Sequence, residues 1–173
     1  FGSKFGRFIE EMLVSPISNQ TILLGYVTGG VARAMSVGII VTILSLFFTD
    51  LVIHNMFAVV SITVLTAVLF SLLGFINGVY AKRFDDVSIV PTFVLTPLTY
   101  LGGVFFSIDL LPDFWAGVAQ LNPILYVVNA FRFGILGVSD ISLGWAYGIL
   151  ISMTIVAYVI AVRLLANGAG VRS

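Results

Sequence analysis

Few residues in this chain could carry chemistry, and they are poorly placed for it. The only lysines are Lys4 and Lys82. Neither sits in a Gly-x-x-x-x-Gly-Lys phosphate loop, which needs that lysine beside backbone amides that cradle phosphate. No serine occupies a Gly-x-Ser-x-Gly nucleophile elbow. One histidine, His54, cannot assemble a triad or a multi-histidine metal site. The absence of cysteine removes thiolate ligands, disulfides and a cysteine nucleophile. The acids lie at the ends of long apolar stretches rather than in facing pairs. We therefore expect no enzyme activity from the chain itself, no metal and no cofactor of its own.

The elements that must position these residues belong to a membrane. Apolar residues make up 60% of the 173, and charged residues only 9%. Too few charges are present to cover a soluble surface, and hydrophobicity is far too high for disorder. The net charge of zero argues against a nucleic-acid partner held by phosphate neutralisation. A membrane helix needs about 20 mostly apolar residues. Uncharged stretches of 31, 22 and 22 residues lie between Asp50 and Lys82, between Asp86 and Asp109, and between Asp140 and Arg163. Only Arg33 interrupts the stretch from Glu11 to Asp50. Four spans follow, at 22–48, 56–80, 88–107 and 142–162. The apolar runs do not alternate, so a β-barrel is excluded. The expected fold is an all-α polytopic membrane bundle, one transmembrane domain over 1–173.

Charge sets the orientation. Lys4, Arg7, Lys82, Arg83, Arg163 and Arg172 all fall on one side of a four-span bundle, and Arg132 alone falls on the other. The basic side faces the cytoplasm, which places both ends of the chain inside. The outward segment 108–140 has 18 uncharged residues between Asp113 and Arg132. Pro112 and Pro123 cut it into pieces too short to span, which suit re-entrant or interfacial helices. Asn122 is a good N-cap, Pro123 fits the first helical position, and Gly137 is a plausible stop. Trp115 and Tyr126 suit the headgroup belt.

Residues 4–15 place Phe5, Phe8, Ile9, Met12 and Leu13 on one helical stripe, ended by Pro16. Such a helix lies flat on the bilayer or docks on a protein. Its balanced charges (Lys4, Arg7, Glu10, Glu11) favour docking. Inside the first span, Arg33 costs about 2.5–3.5 kcal/mol at a bilayer centre unless it pairs, snorkels or faces protein. It either reaches the cytoplasmic headgroups or makes a polar contact, for example with Asp85 or Asp86. Small residues mark expected packing seams. They are Gly25 and Gly29 with Arg33; Ser71, Gly74 and Gly78 with Asn77 beside them; and Gly144, Gly148 and Ser152. Pro91 and Pro97 should kink the third span. His54 should sit at the outer boundary beside Asp50.

Two regions resemble the permease subunits of type-2 ATP-binding-cassette (ABC-2 type) exporters. KFGRFIEEMLVSPIS, at 4–18, is similar to that family's cytoplasmic coupling helix, with Arg7, Glu10, Glu11 and Pro16 at matching places. LTPLTYLGGVFFSIDLLPDFWAGVAQLNPILYVVNAFR, at 95–132, resembles the family signature through Leu111, Pro112, Asn122, Pro123, Tyr126 and Arg132. Between them, AKRFDDVSIVPTFVLTPLTYLGGVF is similar to the YadH-like branch. Family permeases have six spans, so the resemblance implies that the first two are absent from this chain. It also implies a coupling helix at 4–16 and re-entrant gate helices at 112–120 and 123–137. A second permease copy, a separate ATPase subunit holding ATP and magnesium, and export across the bacterial inner membrane are further implications. Membrane lipid is the remaining expected partner. The alternative is an ATP-independent secondary transporter or channel, which would usually place acids within spans. A membrane scaffold without transport is a further reading.

Overall fold

The computed structural model describes residues 17–49, 52–104, 110 and 112–167, without the side chains of Phe84 and Asp113. Its helices are α1 (Asn19–Leu46), α2 (Met56–Tyr80), α3 (Phe84–Ile89), a π-helical segment (Val90–Leu95), α4 (Thr96–Leu101), α5 (Asp113–Gln120), α6 (Pro123–Leu136) and α7 (Leu143–Asn167). No strand occurs among the described residues. The amphipathic stretch 4–16 lies outside them.

Local chemistry explains the helix ends. Ser18 caps α1, its Oγ accepting the Thr21 N–H at 3.2 Å. Asn55 caps α2 by accepting the Ala58 N–H at 3.0 Å. Each satisfies a donor that has no partner inside the helix. Pro123 stands at the start of α6 behind Asn122, and α6 stops at Gly137 with φ 75. A residue with a Cβ adopts that backbone only with strain.

Three helices, α1, α2 and α7, are long and apolar enough to cross a membrane. The stretch expected as a further span, 88–107, is built differently. Helical backbone runs unbroken through α3, the π segment and α4, and residues 105–109 lie outside the described ones. Pro97 has no N–H, and its ring would clash with the carbonyl four residues back. The preceding turn widens instead. The Thr96 N–H bonds to Pro91 O, five residues back, and the Thr96 hydroxyl donates to the same oxygen at 3.1 Å.

Helix α2 is central and touches α1, α6 and α7. Leu23, Ile62, Leu69, Leu72 and Leu150 meet in its core with Ala146, Ala157 and Ala161. The alanines let α7 come close, and Ser61 Oγ meets Tyr147 Oη at 2.5 Å across the pair. The expected seams are found in part: on α2, Ser71 packs against α1 and Gly78 is buried. A Cβ at Gly25, Gly29, Gly74, Gly144 or Gly148 would meet nothing within 4 Å. The close approaches are at Gly30, against Ser71, and at Gly134, where a Cβ would lie 3.1 Å from the Val59 nitrogen. Sequence spacing identifies a face of small residues, but not which face meets a neighbour.

Helix α1 is anchored at one end only. Ile22 and Leu23 are its buried residues, whereas Val37, Ile39, Ile40, Val41, Ile43, Leu44 and Leu46 are each more than half exposed. Beside its C-terminal half lies an apolar cleft of about 440 Å³ lined by Met35, Ile39, Met56, Val60, Thr63 and Phe131.

Gly134→Ala should destabilise the detergent-solubilised protein by about 1–3 kcal/mol, because the new methyl would meet the stiff, β-branched Val59 side chain at 2.6 Å, with the Val59 backbone close behind it. Gly148→Ala should stay within about 0.5 kcal/mol of wild type. Thermal unfolding followed by tryptophan fluorescence compares them, and equal midpoints would contradict the close α6–α2 approach.

Candidate functional site

The polar contacts between helices concentrate around one helix of the segment 108–140. The chain breaks there into α5 and α6, with Leu121 and Asn122 between them. Pro112 is the N-cap residue of α5 and has extended backbone. Leu111 lies outside the described residues, as do Arg7, Glu10, Glu11 and Pro16.

Asn122, Tyr126 and Asn129 follow a spacing of four and then three, which lines them up on one face of α6. All three are buried. Asn122 works in two directions. Its Oδ1 accepts the Ile124 N–H at 3.0 Å, and its Nδ2 donates to Leu98 O of α4 at 2.5 Å. Leu98 lies in the last turn of α4, where carbonyls lack helical partners. Tyr126 Oη donates to Gln120 O, at the end of α5, at 2.6 Å. The expectation that Tyr126 sits in the headgroup belt is therefore corrected: its ring is buried and its hydroxyl ties α5 to α6. Trp115 is about half exposed.

Asn129 carries the connection to α7. Its Nδ2 donates to Leu125 O at 3.0 Å, and its Oδ1 accepts the Asp140 N–H at 2.9 Å. Ser139 Oγ shapes the same turn by donating to Ile141 O at 2.6 Å. Arg132 closes the frame. Its Nη1 meets Asp140 Oδ2 at 3.1 Å, with about one-fifth of each side chain exposed. Its Nη2 donates to Gly103 O at 2.6 Å, in the turn after α4 where Gly103 has φ 73. Asn122 at the cap of α6, with Tyr126, Asn129 and Arg132 within it, thus holds α4, α5 and the turn before α7 together.

The far end of α6 is tied through backbone. His54 and Asn55 donate their N–H groups to Ile135 O at 3.1 Å and Gly134 O at 2.8 Å. The His54 ring packs edge-on against Phe133 at 5.8 Å and lies against Gly137, where a Cβ would be 3.1 Å from Cγ.

The remaining expected residues stand apart from this frame. Asn77 of α2 donates to Val87 O of α3 at 3.1 Å, fixing the bent segment at its other end. Asp86 accepts the amide N–H groups of Lys82 and Arg83, each at 2.9 Å. Those bonds hold its carboxyl below the usual carboxylate range, aided by the charges of Arg83 and Lys82. A lowered carboxylate contributes stability at neutral pH that fades only as acid protonates it. Its contacts are these, and Arg33 forms no ion pair with Asp85 or Asp86; the one ion pair among the described residues is Arg132–Asp140. Arg33 is exposed on α1.

Asn129, Asp140, Ser139 and the carbonyls of Leu98 and Gly103 were not anticipated. Asn129 had a usable signal: an amide inside an apolar run, seven residues after Asn122. The carbonyls had none. Among the described residues no three His, Asp or Glu side chains gather as metal ligands. The hydroxyls of Tyr26 and Thr66 are buried without a partner there. Thr66 lines a second apolar cleft of about 320 Å³ with Ile62, Ala34 and Phe131. The arrangement suits holding and moving helices rather than bond chemistry.

Asn129→Ala should cost about 1–3 kcal/mol, because it removes a fully buried amide that both donates to Leu125 O and accepts the Asp140 N–H. Asp140→Asn should cost about 0–1 kcal/mol, as part-exposed pairs do. Chemical denaturation in detergent ranks the two, and the reverse order would contradict the frame.

A family model described as ABC-2 type transporter matches residues 2–136. The inner membrane transport permease YadH of Escherichia coli (strain K12) is 54% identical over all 173 residues, which span 68% of that protein. Nodulation protein J of Rhizobium leguminosarum bv. viciae is 23% identical over 166 residues, 95% of this chain and 64% of the relative. Nodulation protein J of Rhizobium meliloti (strain 1021) is 24% identical over 161 residues, 92% of this chain and 61% of the relative. No solved structure matches. Its match over more than three-quarters of the sequence, and its identity with YadH from end to end, place this helical chain in the ABC-2 type transporter family.

Proposed function

We propose that the chain is the membrane-spanning permease part of an ATP-driven exporter in a bacterial inner membrane. Two copies form the substrate pathway, and a separate ATPase subunit holds ATP and magnesium. The observation that carries this is the family match over 2–136, which runs from the amphipathic stretch through the braced outward segment. The chain itself binds no nucleotide and performs no hydrolysis.

In this reading α1, α2 and α7 are spans, and the bent run from α3 to α4 begins the fourth, over 88–107. Both ends of the chain then lie in the cytoplasm. Residues 4–16 dock on the ATPase through Arg7, Glu10, Glu11 and Pro16. Helices α5 and α6 enter the membrane from outside as a gate. The polar bonds of α6 favour that role, because a re-entrant helix needs its irregular ends satisfied by protein. Opening the gate then moves α4, α5 and the start of α7 together.

Topology is tested with cysteine variants in a chain that has no native cysteine. Gly2→Cys and Val171→Cys should resist an impermeant outside label, and His54→Cys should react. Outside labelling of both ends would overturn the orientation.

Docking is tested with the full-length permease and its ATPase in liposomes. Glu10→Lys with Glu11→Lys should weaken co-purification about tenfold, which corresponds to about 1.4 kcal/mol. ATP hydrolysis by the complex should fall with it, while membrane insertion stays normal. Unchanged co-purification and hydrolysis would leave 4–16 as a membrane-surface helix.

A further inference from the structure

Pro91 stands one turn beyond Val87, where α3 passes into the π segment. In an unbroken α-helix the N–H of residue 91 would donate to Val87 O. Proline has no N–H, so that carbonyl loses its helical donor. The bond that Val87 O does receive comes from another helix. Asn77 Nδ2, in the last turn of α2, donates to it at 3.1 Å.

The far end of the bent run repeats the arrangement. The Gly102 N–H turns to Thr99 O at 3.2 Å rather than to Leu98 O, one residue further back. Asn122 Nδ2 takes the vacated Leu98 carbonyl. Each asparagine thus stands where the run has lost a donor of its own. None of the described side chains between residues 85 and 101 is buried, and α2 packs chiefly on α1, α6 and α7. Within this chain a hydrogen bond, rather than a packed core, ties the start of the run to α2. A carbonyl in apolar surroundings must find a donor. Pro91 therefore makes Asn77 necessary, and Asn77 makes Pro91 tolerable.

We propose that Asn77 and Pro91 form one interhelical joint, in which Asn77 gives Val87 O the N–H that Pro91 lacks and so positions the bent run on α2 for transport. The role in transport rests on the permease reading above, where the run leads from the cytoplasmic side to the gate frame. A backbone donor at residue 91 would satisfy the carbonyl but tie it to nothing outside the run. Replacing that donor with a side chain of α2 turns a bond within one helix into a link between two. Asn77 is a positioning residue in this account.

The test uses the full-length permease, freed of all cysteines except those introduced, in phosphatidylcholine nanodiscs. Asn77→Leu keeps the side-chain size and removes the donor. It should lower the unfolding midpoint by about 4 °C. Pro91→Ala returns the backbone N–H, so Asn77→Leu in that background should lower the midpoint by less than half as much. If Asn77→Leu alone fails to fold, recovery of folded protein in the Pro91→Ala background is the same result. Spin labels at Val64→Cys on α2 and Ser88→Cys on α3 read position. Their distance distribution should be narrow with Asn77 and Pro91 in place. It should broaden in the Asn77→Leu, Pro91→Ala double variant, which restores the bond but not the link. Leu121→Cys, at the exposed connection between α5 and α6, reads the gate. Its reaction with an impermeant maleimide should differ between nucleotide-free and vanadate-trapped complexes with the ATPase. The double variant should lose that difference while still binding the ATPase. Equal midpoint losses in the two backgrounds, or no folded protein in either, would overturn the joint. So would an unchanged distance distribution in the double variant, which would mean that packing positions the run instead. A gate response kept by the double variant, or absent from wild type, would overturn the role in transport. The midpoints and distances need no ATPase. A permease that binds none yet shows both effects would count against the exporter reading and leave the joint standing.

Discussion

A backbone carbonyl inside an apolar environment must find a donor within the protein, because water is not there to supply one. The segment between α4 and α7 is organised around that requirement. Helix α4 ends at Leu101 and α5 at Gln120, so each exposes last-turn carbonyls near the others. Helix α6 supplies the donors. Asn122 reaches Leu98 O, Tyr126 reaches Gln120 O and Arg132 reaches Gly103 O. Without these bonds two short helices and a bent segment would have little to fix their mutual position. With them, three elements too short to be stable alone become one body.

The same requirement operates in the bent segment. Pro97 denies the helix one of its own donors, and the chain responds with a wider turn in which the Thr96 amide and hydroxyl both serve Pro91 O. The wide turn is therefore a satisfied structure rather than a defect. Its two ends are held from outside it, by Asn77 of α2 near α3 and by Asn122 and Arg132 of α6 near α4. Wide turns of this kind are frequent at functional sites, and a bend pinned at both ends can flex without losing its place.

Features that depend on neighbours in sequence were legible from the amino acids. Asn122, Pro123 and Gly137 mark the start and stop of α6 because capping is decided within a few residues. The membrane class followed from the spacing of charges. What depended on remote partners was not legible. Gly25 and Gly29 form as good a seam on paper as Gly30, yet only Gly30 meets Ser71. Tyr126 was assigned to the headgroup belt for its amphipathic ring, but the nearby end of α5 gives its hydroxyl a better partner. Arg33 was expected to have Asp85 or Asp86 within reach. Asp86 instead turns to the two amides beside it, a contact favoured by its position at the start of a helix.

The groups that accept from Asn122, Tyr126, Asn129 and Arg132 are main-chain oxygens, apart from the single Asp140 carboxylate. A main-chain oxygen is present whatever side chain its residue carries. Leu98, Gln120 and Leu125 can therefore change identity through evolutionary drift, provided the helix persists, without costing the frame a bond. The donors on α6 have no such latitude. This asymmetry separates the part that must be kept from the part that is free to vary. Homologues can thus diversify the surface around this segment while retaining its architecture.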